Sequence, residues 1–161
     1  MFKYDDSYNR SRSIKGLAVN SEKYENINTE NTVLCTHMHF HSDFEIFCVT
    51  GGTAEFYVAG ESLIIGKGSV VLINPYEAHY GIIKSPDFEY FCINFDFSYI
   101  KHPLGEKIIS GKFAYKYFSK NYCDALPCLT ACFNSISSQS EGWAMRAVGN
   151  LMIFFPSLTV L

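Results

Sequence analysis

His39-Phe40-His41-Ser42-Asp43-Phe44-Glu45 is the stretch on which the reading of this chain turns, and His79 answers it further along. Side chains alternate along a β-strand, so His39 and His41 share a face. Glu45 keeps that parity if the strand runs on through Ser42 and Asp43. Three ligand-type groups then look into one interior, and His79 supplies a fourth from another strand. Three imidazoles and a carboxylate suit a divalent Zn, Ni, Fe or Mn, with one or two coordination positions left open. The same set also suits the polar floor of a pocket for a small organic molecule. It equally suits buried polar groups that satisfy one another.

Around this stretch the pattern is that of many short strands. Val33–His39, Phe44–Thr50, Thr53–Val58, Ser62–Ile65, Ser69–Ile73, His79–Ile83 and Phe88–Phe97 read as strands. Turn signals at Gly51-Gly52, Ala59-Gly60, Gly66-Lys67-Gly68 and Asn74-Pro75 separate them. Close, regular spacing of this kind predicts a sandwich or barrel. Residues 1–31 are polar and read as an arm or a weak edge strand outside the core. After residue 98 the period changes. Leu126, Leu129, Phe133 and Ile136 fall at helical spacing, as do Trp143, Ala147, Leu151 and Phe154 before Pro156. Pro127 places the start of the first helix near Leu126. The expected division is an arm over 1–31, a barrel over 32–98 and a helical segment over 99–161, within one compact domain.

Composition narrows the class. Of 161 residues 48% are hydrophobic, with 14 Phe and 11 Tyr, which suits an aromatic-lined β-body. Net charge is −3, so the chain has no field of its own for nucleic acid. No apolar run is long enough to span a membrane. The polar, acidic start at Met1–Asp6 is not a signal peptide, which places the protein in the cytoplasm. Six cysteines without a CxxC pair then read as reduced thiols, with Cys128 and Cys132 on one helix face as core.

Phe47, Val49, Phe56, Tyr90 and Asn94 are the expected neighbours of the histidine group in the barrel and the candidate ligand-pocket residues. Leu126, Leu129, Phe133, Trp143, Ala147 and Leu151 form apolar helix stripes and are the candidate dimer interface, so that Leu151→Glu is expected to give a folded monomer. His37 and His102 read as surface residues.

His39-x-His41-x3-Glu45-x6-Gly52 resembles the first motif of the cupin superfamily, and Gly68-x6-Pro75-x3-His79 resembles the second, with the proline one position late. The resemblance implies a cupin double-stranded β-helix, a jelly-roll barrel, followed by the two short helices. Val33, Tyr76 and Ile83 stand where enzymatic cupins usually carry two glycines and an asparagine. The wording around the motifs, with Ile93-Asn94-Phe95-Asp96 as a returning strand, resembles instead the N-terminal sensor domain of AraC-type transcription regulators. That resemblance covers about residues 33–155 and implies a small-molecule effector and a homodimer formed through the helices. It also implies DNA contact only through a helix-turn-helix domain that follows such a sensor. Since nothing follows Leu161, the chain reads as a fragment of a longer regulator. The alternative is a stand-alone metal-dependent cupin enzyme of dioxygenase or sugar isomerase type.

Overall fold

A computed structural model describes residues 3–4, 17–96, 117–118 and 125–157. The strands are β1 (Lys3–Tyr4), β2 (Leu17–Tyr24), β3 (Leu34–Phe40), β4 (Phe44–Gly51), β5 (Thr53–Val58), β6 (Glu61–Gly66), β7 (Val70–Ile73), β8 (His79–Ile83), β9 (Phe88–Phe95) and β10 (Tyr117–Phe118). The helices α1 (Ala125–Ser138) and α2 (Trp143–Ser157) follow. Two five-stranded sheets result, in the orders β1-β3-β8-β5-β6 and β10-β7-β4-β9-β2. They face one another as a jelly roll, and the helices cover the outer side of the second sheet.

Two apolar layers hold this arrangement. Between the sheets, Phe47 and Val49 of β4 meet Ala54, Phe56 and Val58 of β5, Ile83 of β8 and Tyr90 and Cys92 of β9. Outside the second sheet, Phe44, Ile46 and Cys48 of β4 and Phe91, Ile93 and Phe95 of β9 pack against Leu129, Cys132, Ala147, Leu151 and Phe154 of the helices. Strands β4, β7 and β9 are thus covered on both faces, which is why their sequences read as nearly unbroken apolar runs. β5 alternates buried and partly exposed residues because its sheet has one face in water. The five cysteines among the described residues are free and buried, as expected of core thiols. Cys123, His102 and the arm at 5–16 lie outside the described residues.

Several expectations change. Residues 17–24 take the edge-strand alternative but not its place outside the core: β2 pairs with β9 from Leu17↔Phe95 to Tyr24↔Phe88, and Leu17 belongs to the core. Asn20, Ser21, Glu22 and Lys23 give this edge strand its polar look in the sequence. The second helix runs one residue beyond Pro156, a difference within ordinary helix-end variation. The apolar stripe expected at a dimer interface packs within the protomer. Leu129, Ala147 and Leu151 are 0–1% exposed, and Leu126, Phe133 and Trp143 pack against the same cluster. This stripe is satisfied inside the protomer, on the sheet, because the outer face of β4 and β9 is as apolar as the helices are.

Candidate metal centre

His39 is the last residue but one of β3, and its cross-strand partner is His79 at the start of β8. Both project from the first sheet. Glu45 comes from β4 in the second sheet, where its partner across the ladder is Asn94 of β9. His41 lies in the connection that carries the chain from one sheet to the other. The parity reading of the motif is therefore right about convergence and wrong about its route. The strand does not run on through Ser42 and Asp43; it stops at Phe40, and the carboxylate meets the imidazoles across the sandwich. His37 faces solvent although it shares sequence parity with His39, because the β3–β8 register shifts between Thr36 and His39.

Each histidine is anchored in the same way. The Nδ1 of His39 donates to the His37 carbonyl at 2.7 Å, that of His41 to the Asp43 carbonyl at 2.9 Å, and that of His79 to the Glu77 carbonyl at 2.9 Å. A carbonyl oxygen only accepts, so every Nδ1 carries a proton and every Nε2 is the nitrogen left for other work. One ligand atom from each of His39, His41, Glu45 and His79 lies within 4.8 Å of all the others. All four residues are buried, at 6%, 8%, 2% and 1% exposure. The imidazole rings stand close, with His39 and His79 centroids 4.2 Å apart.

The electrostatics of this group are those of a site that gathers positive charge around one carboxylate. His41 Nε2 is 2.9 Å from Glu45 Oε2, and His79 Nε2 is 3.6 Å from the same oxygen. Burial alone would push the Glu45 carboxyl up, but the bond from His41 and the nearby His79, with the charge of both, outweigh it and hold it well below the usual range. Burial opposes the charge of His41 too, and the bond to Glu45 overcomes it, so this imidazole is raised. His39 is lowered, first by burial and then by the neighbouring His79. A neutral His41 would aim a lone pair at a carboxylate oxygen. The 2.9 Å contact calls for a cation between the two atoms, which a proton on His41 or a metal ion would supply.

A divalent metal fits these residues. The Nε2 of His79 is buried and receives no hydrogen bond, which is costly for a polar atom unless something binds it. Backbone acceptors on the remote nitrogen are the usual orienting partners of metal-bound histidines. Three imidazole nitrogens and one carboxylate oxygen suit Zn, Ni, Fe or Mn.

The expected pocket residues divide into two groups. Asn94 joins the site, its Nδ2 donating to Glu45 Oε2 at 3.0 Å. Phe47, Val49, Phe56 and Tyr90 are buried beside it but packed on one another: Phe47 lies 4.7 Å from Phe56 and 4.4 Å from Tyr90, centroid to centroid. The Tyr90 hydroxyl donates to the Cys35 carbonyl, away from the histidines. Sequence reasoning missed Tyr76, whose N–H donates to the His41 carbonyl at 2.8 Å and ties the 74–77 turn to the site. Its position three residues before His79, where a glycine is usual, was the available signal.

The comparisons with known proteins agree with this architecture. ToxT from Vibrio cholerae, in a structure with (E)-4-(8-methylnaphthalen-1-yl)but-3-enoic acid, is 14% identical and superposes with a TM-score of 0.55 over 85% of this chain. The match spans 55% of that protein, so this chain corresponds to about half of its length. A likeness at that identity speaks for the fold. An RmlC-like cupin from Shewanella frigidimarina matches 50% of this chain and 66% of its own, at 14% identity and TM-score 0.42. No curated protein matches the sequence. The family described as AraC-like ligand binding domain matches residues 31–154, which takes in the barrel from β3 onward and both helices. The chain belongs to the AraC-like ligand-binding domain family.

Proposed function

We propose that this chain is the effector-sensing and dimerisation part of a bacterial, cytoplasmic AraC-type transcription regulator, and that His39, His41, Glu45 and His79 hold a divalent metal ion in its barrel. Family membership supports the sensing role. The observation that carries the metal is the common anchoring of three Nδ1 atoms, which leaves three Nε2 atoms and one carboxylate oxygen converging in a buried space. When bound, such an ion supplies a Lewis-acidic centre for an oxygen- or nitrogen-bearing effector. The chain's own part is to orient the imidazoles, exclude water and present Glu45 in its ionised form.

The domain division follows as arm, barrel and helical segment, with residues 17–24 counted with the barrel. DNA contact is assigned to a helix-turn-helix domain of the kind that accompanies these sensors, and none to this chain. No helix among the described residues is long and apolar enough to cross a membrane. Dimerisation is assigned to the outward side of α2, where Met145, Met152 and Ile153 are 83%, 46% and 65% exposed. The reading as a metal-dependent enzyme shares the ligand set. It is less favoured because Val33, Tyr76 and Ile83 stand where enzymatic cupins usually carry two glycines and an asparagine.

Elemental analysis of the purified protein tests the metal. Near-stoichiometric Zn, Ni, Fe or Mn in the wild type, lost in both His41→Ala and His79→Ala, is the expected result. Wild-type protein that takes up none of the four ions on incubation would leave a metal-free, hydrogen-bonding site.

A further inference from the structure

Glu45 has a partner that neither histidine motif contains. Asn94 stands directly opposite it on β9 and is 4% exposed. Its Nδ2 donates to Glu45 Oε2 at 3.0 Å, while its Oδ1 faces the Cys92 thiol at 3.7 Å. The orientation of the amide is fixed by chemistry, since an ionised carboxylate only accepts and a thiol is here the donor. The oxygen that Asn94 holds is the one 2.9 Å from His41 Nε2 and 3.6 Å from His79 Nε2.

His41 faces that oxygen through Nε2, because its Nδ1 is committed to the Asp43 carbonyl. Nε2 is therefore the nitrogen it can offer a metal, whereas Asn94 Nδ2 is left to hold the carboxylate. Burial leaves water little room to take over the same duty.

We propose that Asn94 is the positioning residue of this site: it holds Glu45 with Oε2 turned to the three histidines and so sets how tightly a metal is taken up. Asn94 is not itself a ligand, because its oxygen is turned to Cys92. The proposal rests on reading the histidine–glutamate group as a metal site, and it adds a fifth residue from outside both motifs.

The test is a Co²⁺ titration of the whole chain against a chromophoric chelator, with the visible spectrum recorded at saturation. Asn94→Leu keeps the volume and removes the donor; Asn94→Ala removes both. Cys92→Ala disturbs the same strand and the far end of the amide only. Both Asn94 variants should bind Co²⁺ about 10- to 100-fold more weakly, the range found when an outer partner of a ligand is lost. Their spectra should also change, while Cys92→Ala keeps the wild-type constant and spectrum. A folded Asn94→Leu with wild-type affinity and spectrum overturns the role of Asn94 and leaves the metal site standing. A wild-type chain that takes up no Co²⁺ overturns the metal reading itself, and the role of Asn94 with it.

Discussion

Tyr76 holds a backbone conformation that glycine adopts at least cost. Its φ is 64°, Pro75 precedes it, and the Glu77 N–H donates to the Asn74 carbonyl at 3.2 Å, so it occupies the third position of a type II-like turn. A side chain with a Cβ pays roughly 1–2 kcal/mol for that conformation. Tyr76 is 67% exposed and recovers little by packing. Tyr76→Gly should therefore raise the melting temperature, by about 2–4 °C for each kcal/mol gained in a domain of this size; an unchanged or lower value would show that packing of the ring within the chain, or the added backbone freedom of glycine in the unfolded state, offsets the relieved strain. The histidines carry a second prediction at this scale. His41 is raised above its ordinary 6.5 and Glu45 is lowered below its ordinary 4.5. The support from His41 is complete below 6.5 and fades as pH rises through its folded-state value, whereas that from Glu45 is present above 4.5 and fades as pH falls. In the metal-free chain the pair thus stabilises most between those two values. Metal binding runs the other way, because every imidazole must be unprotonated. The rise in melting temperature on adding Zn²⁺ should be larger at pH near 7.5 than near 5.5, and an equal rise at both would place the ion elsewhere.

At the scale of elements, β4 and β9 are the two-faced strands of the molecule. Glu45 and Asn94 look inward to the histidines, while Phe44, Ile46, Ile93 and Phe95 look outward to the helices. The turns that flank β5 are equally specific. Gly52, with φ 67°, carries the chain from β4 in one sheet to β5 in the other, and a Cβ there would overlap the Asp87 carbonyl. Gly60, with φ 88°, closes the β5–β6 hairpin with open space where its Cβ would stand. Gly60→Ala should cost only the conformational term, about 1–2 kcal/mol. Gly52→Ala must also move the 85–87 loop, and its loss in chemical denaturation should be clearly larger, in the range of about 3 kcal/mol or more that marks steric strain. Equal losses would mean that the loop yields freely. Much of this level was legible in the sequence. Strand positions from β3 to β9 follow from apolar runs and Gly/Pro turns, and His39, His41, Glu45 and His79 follow from spacing. β2 was legible only as one of two alternatives, an arm or a weak edge strand, because Asn20, Ser21, Glu22 and Lys23 satisfy an edge without looking apolar. The unbroken apolar runs of β4, β7 and β9 already said that both faces of that sheet are covered, which is the information needed to seat the helices on it. Asn94 as the partner of Glu45 was beyond reach, since it depends on the register between two strands far apart in sequence.

Over the whole molecule the site ties the two sheets together, with His39 and His79 from one and Glu45 and Asn94 from the other. The second sheet carries the helices on its back, so any shift of β4 against the histidines is felt by α1 and α2 through Phe44 and Ile46. That continuity gives an effector a route to a dimer interface, provided the interface lies on the outer side of the helices. The inner side is already used. Leu151 is 1% exposed within the protomer, so Leu151→Glu buries a charge without a partner and should unfold the chain rather than yield a monomer. The outer side of α2 presents Met145, Gly149, Met152 and Ile153 at helical spacing, an apolar stripe in water. In a two-fold dimer one such stripe meets its own copy, and a glycine in the middle lets the helices approach. Ile153→Glu should therefore give a chain with wild-type circular dichroism and melting behaviour that sediments as a monomer, while the wild type sediments as a dimer. A wild type that stays monomeric at high concentration, or an Ile153→Glu variant that still dimerises, would move the interface off this stripe and leave its exposed methionines for another partner.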